Sequence, residues 1–171
     1  MEFHQISSAE DFRALKIHEA YCSTFPVDER RNENQFQQLF SNKKALVFSL
    51  VNGIDNIGYL IGWDMSHFIF VEHFEVFPQY RNQKFGSEIL KELYRKYSKI
   101  ILESEPENLN EIAKRRINFY QKNGFTTLKE DYFQPSYENG KNPVQLWLLG
   151  NFQPENLDRI QEEIYDIVYC L

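Results

Sequence analysis

The sequence predicts an α/β domain of α+β character, in which helices flank a mixed, largely antiparallel sheet. Three observations predict it. The early apolar segments read as hairpin strands around a turn at Asn52-Gly53. A strand–helix–strand run from Ser66 to Ser104 is a crossover and implies one parallel strand pair. Apolar stripes at helical spacing elsewhere mark helices that must bury one face against that sheet.

In chain order, Phe3 to Ile6 reads as a first strand. Ser7-x-x-Glu10 reads as a capping box opening a helix through about Tyr21. Phe25-Pro26 stops it, and Asp28 to Phe40 reads as a second, more polar helix. The run from Lys44 to Val51 is strand-like, and Ile57 to Trp63 returns from the turn. Ser66 to Phe77 is a long strand rich in β-branched and aromatic residues. After Pro78 the period changes, with Phe85, Ile89, Leu90, Leu93 and Tyr97 on one helical face.

Lys99 to Ser104 is a short apolar strand. The next helix carries Leu109, Ile112, Ala113, Ile117 and Tyr120 on one side and closes at Asn123-Gly124. Phe125 to Leu128 and Pro143 to Leu149 are the last strands, with an aromatic, proline-containing loop between them. Leu157, Ile160, Ile164, Ile167 and Leu171 stripe a final acidic helix, facing the core or a contact in a homodimer. No repeat or linker interrupts the chain, so residues 1–171 are expected to form a single domain.

The composition narrows the function. Hydrophobic residues make up 42% of the chain, enough for a packed core without disulfides. Fifteen Phe and ten Tyr leave aromatic rings to line a pocket for an extended organic ligand. Two cysteines and no basic-plus-apolar start imply a cytoplasmic location. No apolar run approaches the roughly 20 residues of a membrane helix. A net charge of -6 argues against nucleic acid as a partner. Arg81 to Lys99 runs against this trend, with six basic residues and two acidic ones, and a local basic island suits a small polyanion.

The stretch Val76-Phe77-Pro78-Gln79-Tyr80-Arg81-Asn82-Gln83-Lys84-Phe85-Gly86-Ser87 carries the most chemistry. A strand ends, a short loop follows, and a helix begins beside two cationic side chains. Free N–H groups at a helix start can hold a pyrophosphate, and Gly86 leaves room for close backbone approach. Taken alone, the same pattern also fits a tight turn or an unrelated nucleotide-binding loop.

This stretch resembles the acetyl-CoA-binding motif of the GNAT superfamily, in which Arg or Gln is followed by two residues, Gly, one residue, and Gly or Ala. Arg81 and Gly86 occupy the outer places, and Lys84 stands where the middle Gly is usual. Tyr120-Gln121-Lys122-Asn123-Gly124-Phe125 resembles the family's Tyr-x-Lys-x-Gly-Phe segment, and Phe25-Pro26-x-Asp28-Glu29-Arg30-Arg31 resembles a feature of one bacterial subset. The resemblance implies a GNAT fold whose parallel strands splay at the cofactor cleft. It implies an N-acetyltransferase that passes the acetyl group of acetyl-CoA to a small-molecule or peptide amine. A noncatalytic acyl-CoA-binding or regulatory module of the same fold is the alternative.

The resemblance further implies that Phe74, Glu75 and Val76 run beside the pantetheine, and that Arg81, Asn82, Gln83, Lys84, Phe85, Gly86 and Ser87 hold the pyrophosphate. Tyr120 is placed beside the sulfur as acid to the thiolate, since a phenol holds its proton at neutral pH. For the base, Glu72 stands nine residues before Arg81, where many relatives carry Glu. Others put it at the place of Phe70, which cannot serve. Glu75, Glu103 and Glu105 compete, as does a water relay. An Asn common seven places before the tyrosine is here Ala113. His4, His18, His67 and His73 lack metal-ligand spacing, and Cys22 lacks a recognisable catalytic partner.

Overall fold

The computed structural model describes residues 1–169. Strands β1 (Glu2–Ile6), β2 (Ala45–Asn52), β3 (Asp55–Asp64) and β4 (Ile69–Val76) follow one another antiparallel across the sheet. Strand β5 (Ile100–Ser104) lies parallel to β4, and β7 (Val144–Gly150) and β6 (Thr126–Gln134) complete the order β1-β2-β3-β4-β5-β7-β6. The mixed, largely antiparallel sheet with one parallel pair is therefore as expected.

Helices cover both faces. On one lie α1 (Phe12–Thr24), α2 (Glu33–Leu39) and α5 (Leu157–Ile164), whose Ala14, Ile17, Phe36 and Ile164 pack with Phe70 and Ile101. On the other lie α3 (Phe85–Lys96) and α4 (Glu111–Lys122), whose Ile89, Leu90, Leu93 and Ile117 meet Ile69, Val71 and Leu102. Each such side chain contributes about 1.5–3 kcal/mol on burial, so these stripes, and not the caps, seat α3 and α4. The C-terminal stripe also serves the core: Ile164 is buried, and Ile160 and Ile167 pack against the same cluster. Leu171 and Cys170 lie outside the described residues.

Several boundaries differ from the sequence reading. The Ser7 capping box does not form. Ser8 accepts from the backbone of Glu10 and Asp11 in a turn, and Asp11 caps α1 by accepting from the Arg13 amide at 2.9 Å. The second helix splits, because a 3₁₀ turn at Val27–Glu29 ends in extended Arg30 and α2 restarts behind an Asn32/Gln35 capping box. The Met65 amide donates to the Phe68 carbonyl in a turn, which delays β4 to Ile69. Strand β6 runs on to Gln134 through the segment read as loop. Asn110 caps α4, so Ala113, Ile117 and Tyr120 face inward while Leu109 and Ile112 stay exposed.

Two features of the sheet shape the cleft. Strands β4 and β5 pair only at Ile69–Ile100, Phe70–Ile101 and Val71–Leu102. Beyond that rung they part, and β5 continues its pairing with β7 through Ser104. On its other side β4 bulges at Glu72, since Ile61 pairs with His73 while Gly62 pairs with Val71. The extra residue turns both Glu72 and His73 toward the α1 face. At the far end Gly58 keeps β3 close to β4, where a Cβ would meet the Glu75 carbonyl oxygen at 2.2 Å.

Candidate active site

The fork between β4 and β5 opens toward the loop 81–84 and the start of α3. Asn82 (φ 63) and Lys84 (φ 67) both have left-handed backbone. Lys84 therefore keeps the conformation that favours glycine, and its departure from the family pattern is absorbed as local strain. Among the described residues, the amides of Asn82, Gln83, Lys84, Phe85 and Gly86 donate to no group of the protein. Five unengaged N–H groups at the start of a 12-residue helix fit a pyrophosphate. The outer edge of β4 from Phe74 to Val76 likewise offers backbone groups to a peptide-like chain.

Arg81 is less available than its place in the motif suggests. Its Nε donates to the Val76 carbonyl and its Nη2 to Glu75 Oε1, both at 2.9 Å. Thr24 on α1 donates to the same Glu75 oxygen at 2.9 Å. Arg81 and Glu75 thus brace the end of β4. Gly86 also has a packing role: a Cβ there would lie 3.0 Å from Phe119 Cζ, so its missing side chain makes room for α4. Its amide remains on the open side, and Ser87 donates back to the Lys84 carbonyl at 3.0 Å.

Tyr120 comes from the last turn of α4, with its ring packed between Phe119 and Phe125. Burial pushes its phenol up to about 12, so it holds its proton firmly. Its hydroxyl has no hydrogen-bond partner among the described residues and is not sealed from solvent. A proton donor in this state can serve an arriving thiolate.

Glu72 lies on the opposite face of the sheet and is tied on both oxygens. Arg31 Nη2 donates to Oε1 at 3.0 Å and the Tyr137 hydroxyl to the same oxygen at 2.5 Å. Trp63 Nε1 donates to Oε2 at 2.7 Å. Burial is the largest single influence and would raise its pKa, but Arg31, His73, Tyr137 and Trp63 together outweigh it, and the net shift is downward. The raised affinity expected of a base is not found at Glu72. Arg31 is itself clasped by the Trp63 and Tyr137 rings and donates to the Val168 carbonyl. This gives the Phe25-to-Arg31 segment its structural meaning: Phe25 meets His73 edge to face and Arg31 locks the loop to β4.

The carboxyls with raised affinity are elsewhere in the fork. Glu103 is pushed up to about 8, first by burial and then by the charge of Glu72. Glu29 is pushed up to about 7 by burial and by Glu105, which pairs with Arg116 at 2.5 Å. Glu29 belongs to the Phe25-to-Arg31 segment singled out in the sequence, but its place beside β5 depends on the fold of the Val27–Glu29 turn. A separate hollow of about 240 Å³ lies between α1 and the Arg30–Asn32 segment. It is lined in part by Cys22, whose Sγ sits 3.5 Å from His18 Nε2, a neighbour the sequence reading did not give it.

The sequence profile of the acetyltransferase (GNAT) domain matches residues 43–127. A Bacteroides thetaiotaomicron protein assigned to the same family superposes with a TM-score of 0.90 at 29% identity, over 100% of this chain and 99% of its own. The chain belongs to the GNAT acetyltransferase family. The GNAT fold extends to more distant structures. A family member from Elizabethkingia anophelis, solved with acetyl-CoA bound, gives a TM-score of 0.61 at 16% identity over 87% of this chain and 95% of its own. An acetyltransferase from Thermus thermophilus gives 0.61 at 13% identity over 87% and 94%. No curated protein matches the sequence. Among the described residues of this GNAT chain, no helix is long and apolar enough to cross a membrane, and no cluster of side chains could hold a metal ion.

Proposed function

We propose that the chain transfers the acetyl group of acetyl-CoA directly to a primary amine. The observation that carries this reading is the fork beyond the Val71–Leu102 rung, flanked by five unengaged amides and by Tyr120. In this reading the pantetheine amides pair with the Phe74–Val76 edge and the pyrophosphate sits on residues 82–86. The amine nitrogen attacks the thioester carbon, the carbon–sulfur bond breaks, and the Tyr120 proton passes to the thiolate.

The carboxyls of Glu29, Glu103 and Glu105 line the α1 side of the fork. The acceptor in this reading is a small-molecule or peptide amine, and the net charge of -6 favours a cationic one over an acidic one. On the net charge of -6 and two cysteines, the proposed setting is the cytoplasm, with neither nucleic acid nor membrane as partner.

Thermal unfolding with acetyl-CoA tests the reading. Ligand at about 100 times its dissociation constant stabilises by about 2.7 kcal/mol, a rise in Tm of roughly 5–11 °C at this chain length. Desulfo- or pantetheine fragments without pyrophosphate should shift Tm less. No shift at millimolar acetyl-CoA counts against the whole reading. A shift without thiol release on any amine favours the noncatalytic acyl-CoA-binding alternative.

A further inference from the structure

We propose that Glu103 takes the proton of the attacking amine, through water held in the small cavity where β4 and β5 part. The inference rests on the acetyl-transfer reading above. Glu103 follows Leu102 directly and so occupies the first rung at which β5 has lost β4. Its Oε1 accepts from the Tyr169 hydroxyl at 2.8 Å, while its Oε2 is shielded and has no partner among the described residues.

Two further groups beside it are in the same condition. Ser104 is 5% exposed with its Oγ unpartnered, and His73 is 4% exposed with both ring nitrogens unpartnered. Glu103, Ser104 and His73 line one cavity of about 30 Å³. That exceeds the roughly 10–15 Å³ a water needs, and a buried water takes two to four polar partners. We place a water there, beside all three residues, as the link between Glu103 and the fork. A general base can act through one such water.

Glu72 borders the same cavity but cannot do this work, because both its oxygens already accept from Arg31, Tyr137 and Trp63. The other groups facing Glu103 are Tyr169, Tyr132 and Glu29, with Glu105, Arg116 and His73 around the cavity. Burial drives His73 down to about 4, so its ring is neutral and can pair with the water through one of its nitrogens. The balance closes: the N–C bond forms, the amine proton reaches Glu103 Oε2, and the departing sulfur takes the Tyr120 proton. Both side chains then reset by exchange with solvent. The high proton affinity of Glu103 supports the role, since an ordinary carboxylate is a much weaker base.

The test measures thiol release from acetyl-CoA by the full chain with putrescine, lysine methyl ester and glucosamine, from pH 6 to 9.5. Glu103→Gln should lower kcat by about 10²–10⁴-fold and abolish the rise in kcat/KM centred near pH 8. Its circular dichroism and its CoA affinity by calorimetry should stay those of the wild type. Ser104→Ala, a gentler change at the water site, should lower kcat less and leave CoA affinity alone. A Glu103→Gln protein with wild-type rate and the same pH rise overturns the assignment. So does a loss of rate that merely follows a loss of CoA binding. A wild type that binds CoA yet releases no thiol with any of the three amines removes the transfer reading and this one together.

Discussion

Glu72 and Glu103 flank the point where β4 and β5 part, and their neighbours drive the two carboxyls in opposite directions. Glu72 is held as an anion by Arg31 at 3.0 Å, with Tyr137 and Trp63 completing its shell. Glu103 has no cation of its own and feels Glu72 as a like charge. Two acidic groups separated in this way can divide structural and proton-accepting work between them.

Glu72→Gln should therefore destabilise the protein by about 3–5 kcal/mol, because it strands the buried Arg31 guanidinium. The sign with pH follows from the lowered pKa of Glu72. The wild-type pair contributes stability above about pH 4.5 and loses it as pH falls through the folded-state value. Urea unfolding at pH 7 and pH 4 checks both points, with a gap between wild type and variant that narrows in acid. An undiminished midpoint at pH 7 would show that the ion pair is not what locks the Arg31 loop.

Lys84 stands at φ 67, a backbone conformation that costs a non-glycine residue about 1–2 kcal/mol. Lys84→Gly removes that cost but gives the unfolded chain more freedom. The net expectation is a gain of up to about 1 kcal/mol, read as a higher urea midpoint with unchanged slope. A lower midpoint would mean that the lysine side chain makes compensating contacts of its own.

Gly86→Val should act through α4. Its new side chain meets the Phe119 ring, since even a Cβ would lie 3.0 Å from Cζ. Overpacking of this kind costs about 1–3 kcal/mol, and pairing the change with Phe119→Leu should recover part of it. The CoA affinity of the folded protein, measured by calorimetry, should change little. Collapse of affinity at intact stability would place the glycine against the ligand after all.

Tyr120→Phe removes a hydroxyl that bonds to no protein group among the described residues, so stability should hold within about 0.5 kcal/mol. If the phenol protonates the thiolate, kcat falls by about 10²–10⁴-fold with little change in the acetyl-CoA KM. Steady-state kinetics on an accepted amine decide the matter. Unchanged kcat leaves the thiolate departing unaided and takes Tyr120 out of the chemistry.

Much of this architecture was legible before any coordinate. The Asn52-Gly53 turn, the apolar face from Phe85 to Leu93 and the strand–loop–helix passage around Arg81 are local patterns. Each is written in residues a few positions apart, as hydrogen-bonded turns and helical faces require. The ends of α1 and α2 were less legible, because several Ser, Asn and Asp side chains compete to cap and only packing selects among them. The chemistry of the fork was decided by tertiary structure alone. Glu72 owes its charge to Arg31 and Tyr137, 41 and 65 residues away, and Glu103 owes its proton affinity to burial and to Glu72. A carboxyl's proton affinity depends on the charges, dipoles and solvent within a few ångströms. For Glu72 and Glu103 those neighbours come from distant parts of the chain, so the sequence named the candidates and the fold assigned their states.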